Sequence, residues 1–194
     1  GIMTLEVDLQ EKFSRPQLLL RSILGTVYIF LPQFLVLLPL SLVSGIVTFL
    51  TFWAILFTGR YPRGFFELNL GLLAWTVRLN ASLSNLVDGY PKFGFKDSQN
   101  VQIRCVFPES VSRGSVLLRG LLGLYIYIPQ EFALAFRGLC TWVLIVLAFG
   151  VVLFTGKYPE RWHSFNVGTL RWQARLITYQ TFMTSNYPRF SGKA

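Results

Sequence analysis

Two long stretches of the chain consist almost entirely of apolar residues. Residues 22–59 contain no Asp, Glu, Lys or Arg, and residues 120–156 contain only two charged residues, Glu131 and Arg137. A helix that crosses a bilayer needs about 20 apolar residues. Each stretch is therefore too long for a single crossing and is about the right length for two.

The middle of each apolar stretch offers a place for a turn. Pro39 lies near the centre of the first stretch, and Arg137, followed by a glycine, lies at the aligned place in the second. Proline disrupts a helix interior, and a charged residue favours the water-facing tip of a hairpin. The pattern predicts a membrane hairpin over residues 17–59 and a second one over residues 115–156.

A third helical pattern follows each apolar stretch. Apolar residues recur near helical spacing over residues 65–87 and 162–184, and Arg78 and Arg175 interrupt these two patterns. Such a helix suits the headgroup region of a membrane. An ordinary helix packed on its own repeat explains the pattern as well, and both descriptions can hold together.

A short alternating segment comes before each apolar stretch. Leu5-Glu6-Val7-Asp8-Leu9 and residues 101–106 alternate apolar and polar side chains, which is typical of a β-strand. Their matching places suggest that they pair with each other. A two-stranded ribbon is marginally stable alone, so it would pack against another element.

The chain is a tandem repeat. Residues 57–62 read FTGRYP and residues 154–159 read FTGKYP, and further identical pairs follow in the same register, including Trp75 with Trp172 and Arg78 with Arg175. Self-similarity of this kind indicates a duplication. We expect repeat one over residues 1–97, repeat two over residues 98–194, and an all-α membrane protein. Each repeat would hold a strand piece, a helical hairpin and an amphipathic surface helix.

The repeated phrase has the composition of a corner where a helix leaves a membrane. Its glycine suits the left-handed residue after a helix, its basic residue suits the phosphate layer, and its proline stops the helix. Specific binding of a lipid headgroup is the alternative. The candidate lipid or partner interface comprises Arg60, Tyr61, Trp75, Arg78, Lys157, Tyr158, Trp172 and Arg175.

Composition and charge place the chain at a membrane. It is 53% hydrophobic and only 14% charged, whereas a soluble domain carries about 25% charged residues. The net charge of +9 favours anionic phospholipids as a partner over nucleic acid. With hairpins, nearly all basic residues share one side, so the positive-inside rule predicts a multi-pass protein with both termini cytoplasmic. Re-entrant or half-inserted hairpins are the alternative.

The repeated motif also resembles a known family. The FTG[RK]YP phrase, the downstream Trp and Arg, and the turns Asp88-Gly89-Tyr90-Pro91 and Tyr187-Pro188 look like the bacterial domain of unknown function 4389 family, in two tandem copies. Lys92 and Arg189 depart from the second proline that is usual in that turn. The resemblance implies a bacterial membrane protein and brings no assigned activity. We expect the protein in the inner membrane.

No residue pattern in the sequence predicts catalysis. His163 is the single histidine, the acidic residues are scattered, and no set of nucleophile, base and orienting residue can be assembled. We expect no enzyme activity, cofactor or metal site. Glu131 is a possible intramembrane polar site, because an ionisable residue in an apolar stretch is a functional candidate by default. Copy one has Phe34 at the aligned place.

These patterns favour a non-enzymatic membrane scaffold or an accessory subunit of a larger bacterial membrane complex. Its partners would be other membrane subunits and anionic phospholipids. The alternatives are a small transporter or channel, for which Glu131 is the motive, and an anionic-lipid-binding protein that shapes membranes.

Overall fold

Helices dominate the structure, as the sequence predicts. The computed structural model describes residues 3–96 and 100–194. The boundary predicted between residues 97 and 98 lies outside the described residues. In chain order the elements are β1 (Met3–Val7), α1 (Arg15–Gly25), a π-helical turn (Thr26–Phe30), α2 (Leu31–Thr58), α3 (Arg63–Leu83), β2 (Val101–Cys105), α4 (Arg113–Thr155) and α5 (Glu160–Gln180).

Each predicted hairpin is instead one long helical segment, and the second of them has a kink at Leu122, where φ is −110° and ψ is 18°. The first long helix joins α1, the π-helical turn and α2 into a continuous helix from Arg15 to Thr58, and the second long helix is α4. Pro39 lies inside the first of them without ending it. The predicted turns were wrong because neither centre has loop-forming residues in number, and one proline removes only one backbone hydrogen bond. Both helices are long and apolar enough to cross a membrane.

The shorter helices α3 and α5 fold back along the long helices. In copy one, Ser44 of α2 donates to Asn69 of α3 at 2.6 Å, and Arg21 of α1 donates to Asn85, just after α3, at 3.1 Å. Because the chain runs in opposite directions through these contacts, α3 is antiparallel to the first long helix. In the same way α5 packs on α4. Each short helix therefore packs on the long helix of its own repeat, which is the second description that the sequence allowed. The inward faces of both short helices are buried.

The two copies associate in a reciprocal, antiparallel manner. The backbone N–H of Phe13 donates to the carbonyl oxygen of Gly156 at 2.8 Å, and that of Val111 donates to Gly59 at 3.0 Å. The start of each long helix thus lies beside the end of the other. The helices α3 and α5 also pack together, with the Tyr61 hydroxyl donating to the carbonyl of Thr181 at 2.9 Å.

The two predicted strands pair as an antiparallel ribbon. Leu5 lies opposite Ile103, and the ribbon rests on the short helices, with β1 against α5 and β2 against α3. Leu5 and Ile103 point inward and are buried, whereas Thr4, Glu6 and Arg104 are exposed. The ribbon therefore contributes apolar side chains to the core and shows a polar outer face.

The core lies between these layers and leaves most of the long helices uncovered. One narrow stripe of the first long helix is buried, at about one residue per turn: Leu18, Arg21, Gly25, Ile29, Gln33, Leu37, Val47, Thr51 and Ile55. The remaining faces expose large apolar side chains, including Ile23, Leu42 and Phe57. Exposed apolar surface of this extent is typical of sites that contact a membrane or another protein.

Candidate functional site

The repeated FTG[RK]YP phrase forms the corner between each long helix and the helix that packs on it. Gly59 and Gly156 end the long helices in the left-handed region, with φ of 72° and 73°. Arg60 and Lys157 follow them and are exposed. Because the carbonyl oxygens of both glycines accept hydrogen bonds from the other copy, the corners also join the two repeats.

The tyrosines of the corners point into the protein. Tyr61 and Tyr158 are buried, and their hydroxyl groups accept hydrogen bonds from the amides of Asn69 at 3.0 Å and Asn166 at 2.8 Å. Burial raises the pKa of each tyrosine to about 12, against the lowering effect of the asparagine hydrogen bond. Both phenols are therefore neutral at physiological pH and act as structural hydrogen-bonding groups.

A tryptophan and a glutamine connect the long helix to the short helix in each repeat. Trp75 Nε1 donates to Gln33 Oε1 at 2.9 Å, and Trp172 Nε1 donates to Gln130 Oε1 at 2.7 Å. Each glutamine in turn donates to the carbonyl of the proline in the Tyr-Pro turn that follows the short helix, at 2.6 and 2.7 Å. Each side-chain nitrogen and oxygen of these buried residues thus has a hydrogen-bond partner, by the same pattern in both copies.

The two repeated arginines hold the end of each repeat. Arg78 is buried and donates to the carbonyl oxygens of Gly94 and Lys96, and Arg175 donates to those of Ser191 and Lys193. Burial lowers the pKa of Arg175, and the neighbouring positive charges lower it further. These arginines neutralise carbonyl dipoles of their own repeat.

A buried arginine has different partners in the two copies. Arg21 Nη2 lies 2.7 Å from Asp88 Oδ1, and the side chain of Arg21 is 2% exposed. The matching arginine in copy two, Arg119, donates instead to the carbonyls of Tyr179 and Thr184 at 2.9 and 2.8 Å. Its guanidinium also lies 4.6 Å from the centre of the Tyr179 ring. Copy two therefore holds the same buried cation with carbonyl and aromatic groups.

Two matching cavities lie beside the Tyr-Pro turns, one in each copy. Their volumes are about 300 and 260 Å³, and they are lined by Arg175 and Arg189 in copy two and by Arg78 and Lys92 in copy one. The cavities are open at the surface and lie near the ribbon.

Glu131 and Arg137, the two charged residues of the second apolar stretch, reach toward α5. Arg137 donates to the hydroxyl of Thr169 at 3.0 Å and to the carbonyl of Phe165 at 3.1 Å, and its guanidinium lies 4.1 Å from the centre of the Phe165 ring. Glu131 is exposed and accepts a hydrogen bond from Gln180 at 3.2 Å. Both charges are therefore stabilised by the short helix of their own repeat.

The single histidine has a structural position. His163 is buried, and its Nε2 lies 3.1 Å from the carbonyl oxygen of Leu86, to which it donates as the neutral imidazole. Burial lowers its pKa. Within the ranges that the structure describes, no three His, Cys, Asp or Glu residues are placed to hold a metal ion.

The sequence identified the repeated residues but did not predict whether their side chains point into the protein or outward. Of the eight interface candidates, only Arg60 and Lys157 are exposed; Arg175 is half-buried, and the others are buried. The glutamine partners of the tryptophans were also missed. A signal existed, because a polar Gln33 or Gln130 lies 42 residues before a repeated tryptophan in both copies.

Comparison with known proteins agrees with the duplicated architecture. A family model described as Domain of unknown function (DUF4389) matches residues 16–94 and, a second time, residues 113–192. The chain belongs to the DUF4389 family. Each matched range begins at the start of a long helix and ends after the Tyr-Pro turn, so one DUF4389 unit comprises a long helix, a corner, a short helix and the segment held by its arginine. No curated protein and no solved structure matches the chain.

Proposed function

We propose that this DUF4389 protein is a non-enzymatic scaffold or accessory subunit of a larger membrane protein complex in the bacterial inner membrane, with both termini on the cytoplasmic side. The exposed apolar surface of the two long helices carries the proposal. Contiguous apolar surface of this extent marks a membrane or protein interaction site, and residues such as Leu42, Leu124 and Phe154 are more than half exposed.

The internal use of the candidate side chains supports a structural role. Trp75, Arg78 and their repeats bond within their own copy. Tyr61 and His163 bond to backbone carbonyls of the other copy. A chain built in this way presents two different surfaces to partners. The apolar long helices can contact lipid and neighbouring membrane subunits, and the polar ribbon can contact a cytoplasmic subunit.

Purification from native membranes tests the proposal. The protein, carrying an affinity tag at its natural expression level, is extracted in a mild detergent and examined by native mass spectrometry. We expect companion proteins in fixed stoichiometry, absent from a parallel preparation of an unrelated membrane protein with the same tag. A single monomeric species from several mild detergents would overturn the assignment as a subunit.

Binding to anionic lipid is a second candidate function, and the exposed basic residues at the corners favour it. Arg60 and Lys157 are exposed beside the apolar surface, where they can contact phosphate groups. Replacing both by Gln should weaken binding to vesicles that contain phosphatidylglycerol, while Arg104→Gln on the outer face of the ribbon serves as the matched control. Equal binding by the parent and the double variant would contradict this candidate.

A further inference from the structure

We propose that the two long helices lie in the plane of the membrane, within one leaflet of anionic phospholipid, instead of crossing the bilayer. The inference rests on the membrane association in the proposed function and concerns how the protein meets the lipid. Four features of the structure support it: the length of the helices, the direction of their internal charges, the layering of the elements and the charges at the helix ends.

The length of the charge-free helix does not fit a crossing. Residues 22–58 lie in one continuous helix, and at 1.5 Å per residue they extend about 56 Å. The hydrocarbon core is about 30 Å thick. To keep this segment inside the core while crossing, the helix would tilt by about 58°, whereas helices that cross membranes tilt by about 0–40°. A helix lying in the plane keeps its whole length in contact with lipid.

The charges inside the second apolar stretch point to one side. Arg137 reaches Thr169 and Phe165 of α5, and Glu131 reaches Gln180 at the end of α5. Long charged side chains at the edge of a membrane extend toward water and headgroups. The direction of both side chains therefore marks the α5 side of the second long helix as the side that faces water.

The layering of the elements gives the protein one apolar and one polar face. The short helices cover the buried stripe of the long helices, and the ribbon rests on the short helices. The ribbon exposes Thr4, Glu6 and Arg104. These polar groups cannot enter hydrocarbon without a large free-energy cost. The ribbon therefore lies in water above the membrane, while the uncovered faces of the long helices lie below it.

The two ends of the helix pair carry similar charge. At each end the exposed basic residues outnumber the exposed acidic residues. The exposed basic residues are Lys12, Arg15, Lys157 and Arg161 at one end and Arg60, Arg63 and Arg113 at the other. A crossing helix would place one of these basic ends outside the cell, against the positive-inside rule. In the plane of one leaflet, both ends meet anionic headgroups on the same side.

Sidedness of cysteine labelling tests the orientation. In a background with Cys105→Ser and Cys140→Ser, single cysteines replace Lys12, Ser41 and Arg60, which mark the start, middle and end of the first long helix. Sealed vesicles of both orientations then receive a maleimide that cannot cross membranes. We expect Lys12→Cys and Arg60→Cys to react from the same side, and Ser41→Cys to react from neither.

The other outcomes separate the alternatives. Reaction of the two end positions from opposite sides would show a crossing helix, and reaction of Ser41→Cys from the side opposite to the ends would show a hairpin; either result overturns the proposal. Reaction of all three positions in protein released without detergent would overturn membrane association itself. A Cys105→Ser variant supplies a check that leaves the long helices unchanged. Its exposed native Cys140 should resist the impermeant maleimide and react with a lipid-soluble one.

Discussion

Gln33 and Trp75 are joined by a buried hydrogen bond of 2.9 Å between the side-chain oxygen of the glutamine and the indole nitrogen. The same glutamine donates to the carbonyl of Pro91 at 2.6 Å. One residue of the long helix thus fixes both the short helix and the turn that follows it. The pair Gln130 and Trp172 repeats this arrangement in copy two.

Gln33→Leu should therefore destabilise the fold strongly. The substitution leaves the indole N–H and the Pro91 carbonyl buried without a partner, and each unpaired group costs about 1–3 kcal/mol. We expect a loss of about 2–4 kcal/mol in the free energy of unfolding, measured by thermal or denaturant unfolding in detergent. Phe34→Leu, at the exposed neighbouring position, is the control and should leave stability near that of the parent. Unchanged stability in Gln33→Leu would contradict the role of this hydrogen bond.

The buried ion pair of Arg21 and Asp88 predicts that substitutions at matching positions of the two copies have different effects on stability. Asp88→Asn removes the negative charge opposite a guanidinium that is 2% exposed. Removing one partner of a buried pair costs about 3–5 kcal/mol, and the 17% exposure of the Asp88 side chain places this case near the lower value. Ser185→Ala at the matching place in copy two should have little effect, because Ser185 is exposed. Similar melting temperatures for the two variants would contradict the account.

The strands, the short helices and the duplication could all be predicted from the sequence, because each depends on a local pattern. Alternation marked the strands, and helical spacing marked α3 and α5 to within a few residues. The repeat could be recognised because identical residues recur at a fixed spacing. The bounds of the long helices were also close, since the left-handed Gly59 and Gly156 end them where the corner motif predicts.

The course of the chain inside each apolar stretch could not be predicted. The sequence shows that residues 22–59 are apolar and carry no charge. The expectation of two crossings assumed that each helix is perpendicular to the membrane. The bonds that decide the path join distant residues, such as Gln33 to Pro91 and Arg137 to Thr169. The same cause hid the orientation of Arg78, whose carbonyl partners follow it by 16 and 18 residues in a segment without regular structure.

The left-handed glycines at the corners predict a position-specific effect of alanine. Gly59 has φ of 72°, so Gly59→Ala places a side chain in the left-handed region at a cost of about 1–2 kcal/mol. Gly64→Ala is the matched control, because Gly64 lies in α3 with no neighbouring atom within 4 Å of an added Cβ. That substitution should stabilise the helix by about 0.5–1 kcal/mol. Opposite shifts in melting temperature check the assignment, and a stabilising Gly59→Ala would contradict it.

The buried His163 predicts a loss of stability in mild acid. Its pKa in the folded state is lowered below the ordinary value of 6.5 by burial, so the unfolded chain binds the proton more readily. Stability contributed by the neutral imidazole is present above pH 6.5 and declines as the pH falls below that value toward the lowered pKa.

Unfolding of the parent and of His163→Gln between pH 8 and pH 5 measures this effect. The glutamine amide keeps a donor for the Leu86 carbonyl and cannot be protonated in this range, so the variant should lose less stability than the parent over the same interval. Parallel pH profiles for the two proteins would show that His163 does not titrate differently on folding.

The depth of the first long helix in the bilayer tests the central claim most directly. Spin labels at Leu20, Leu31, Leu42 and Trp53 share one exposed face of the helix at equal spacing. Their relative collision rates with oxygen and with a water-soluble nickel complex report depth in liposomes that contain anionic lipid. An in-plane helix predicts nearly the same depth at all four positions. A depth that increases to the bilayer centre and decreases toward the opposite surface would contradict the in-plane arrangement and show that the helix crosses.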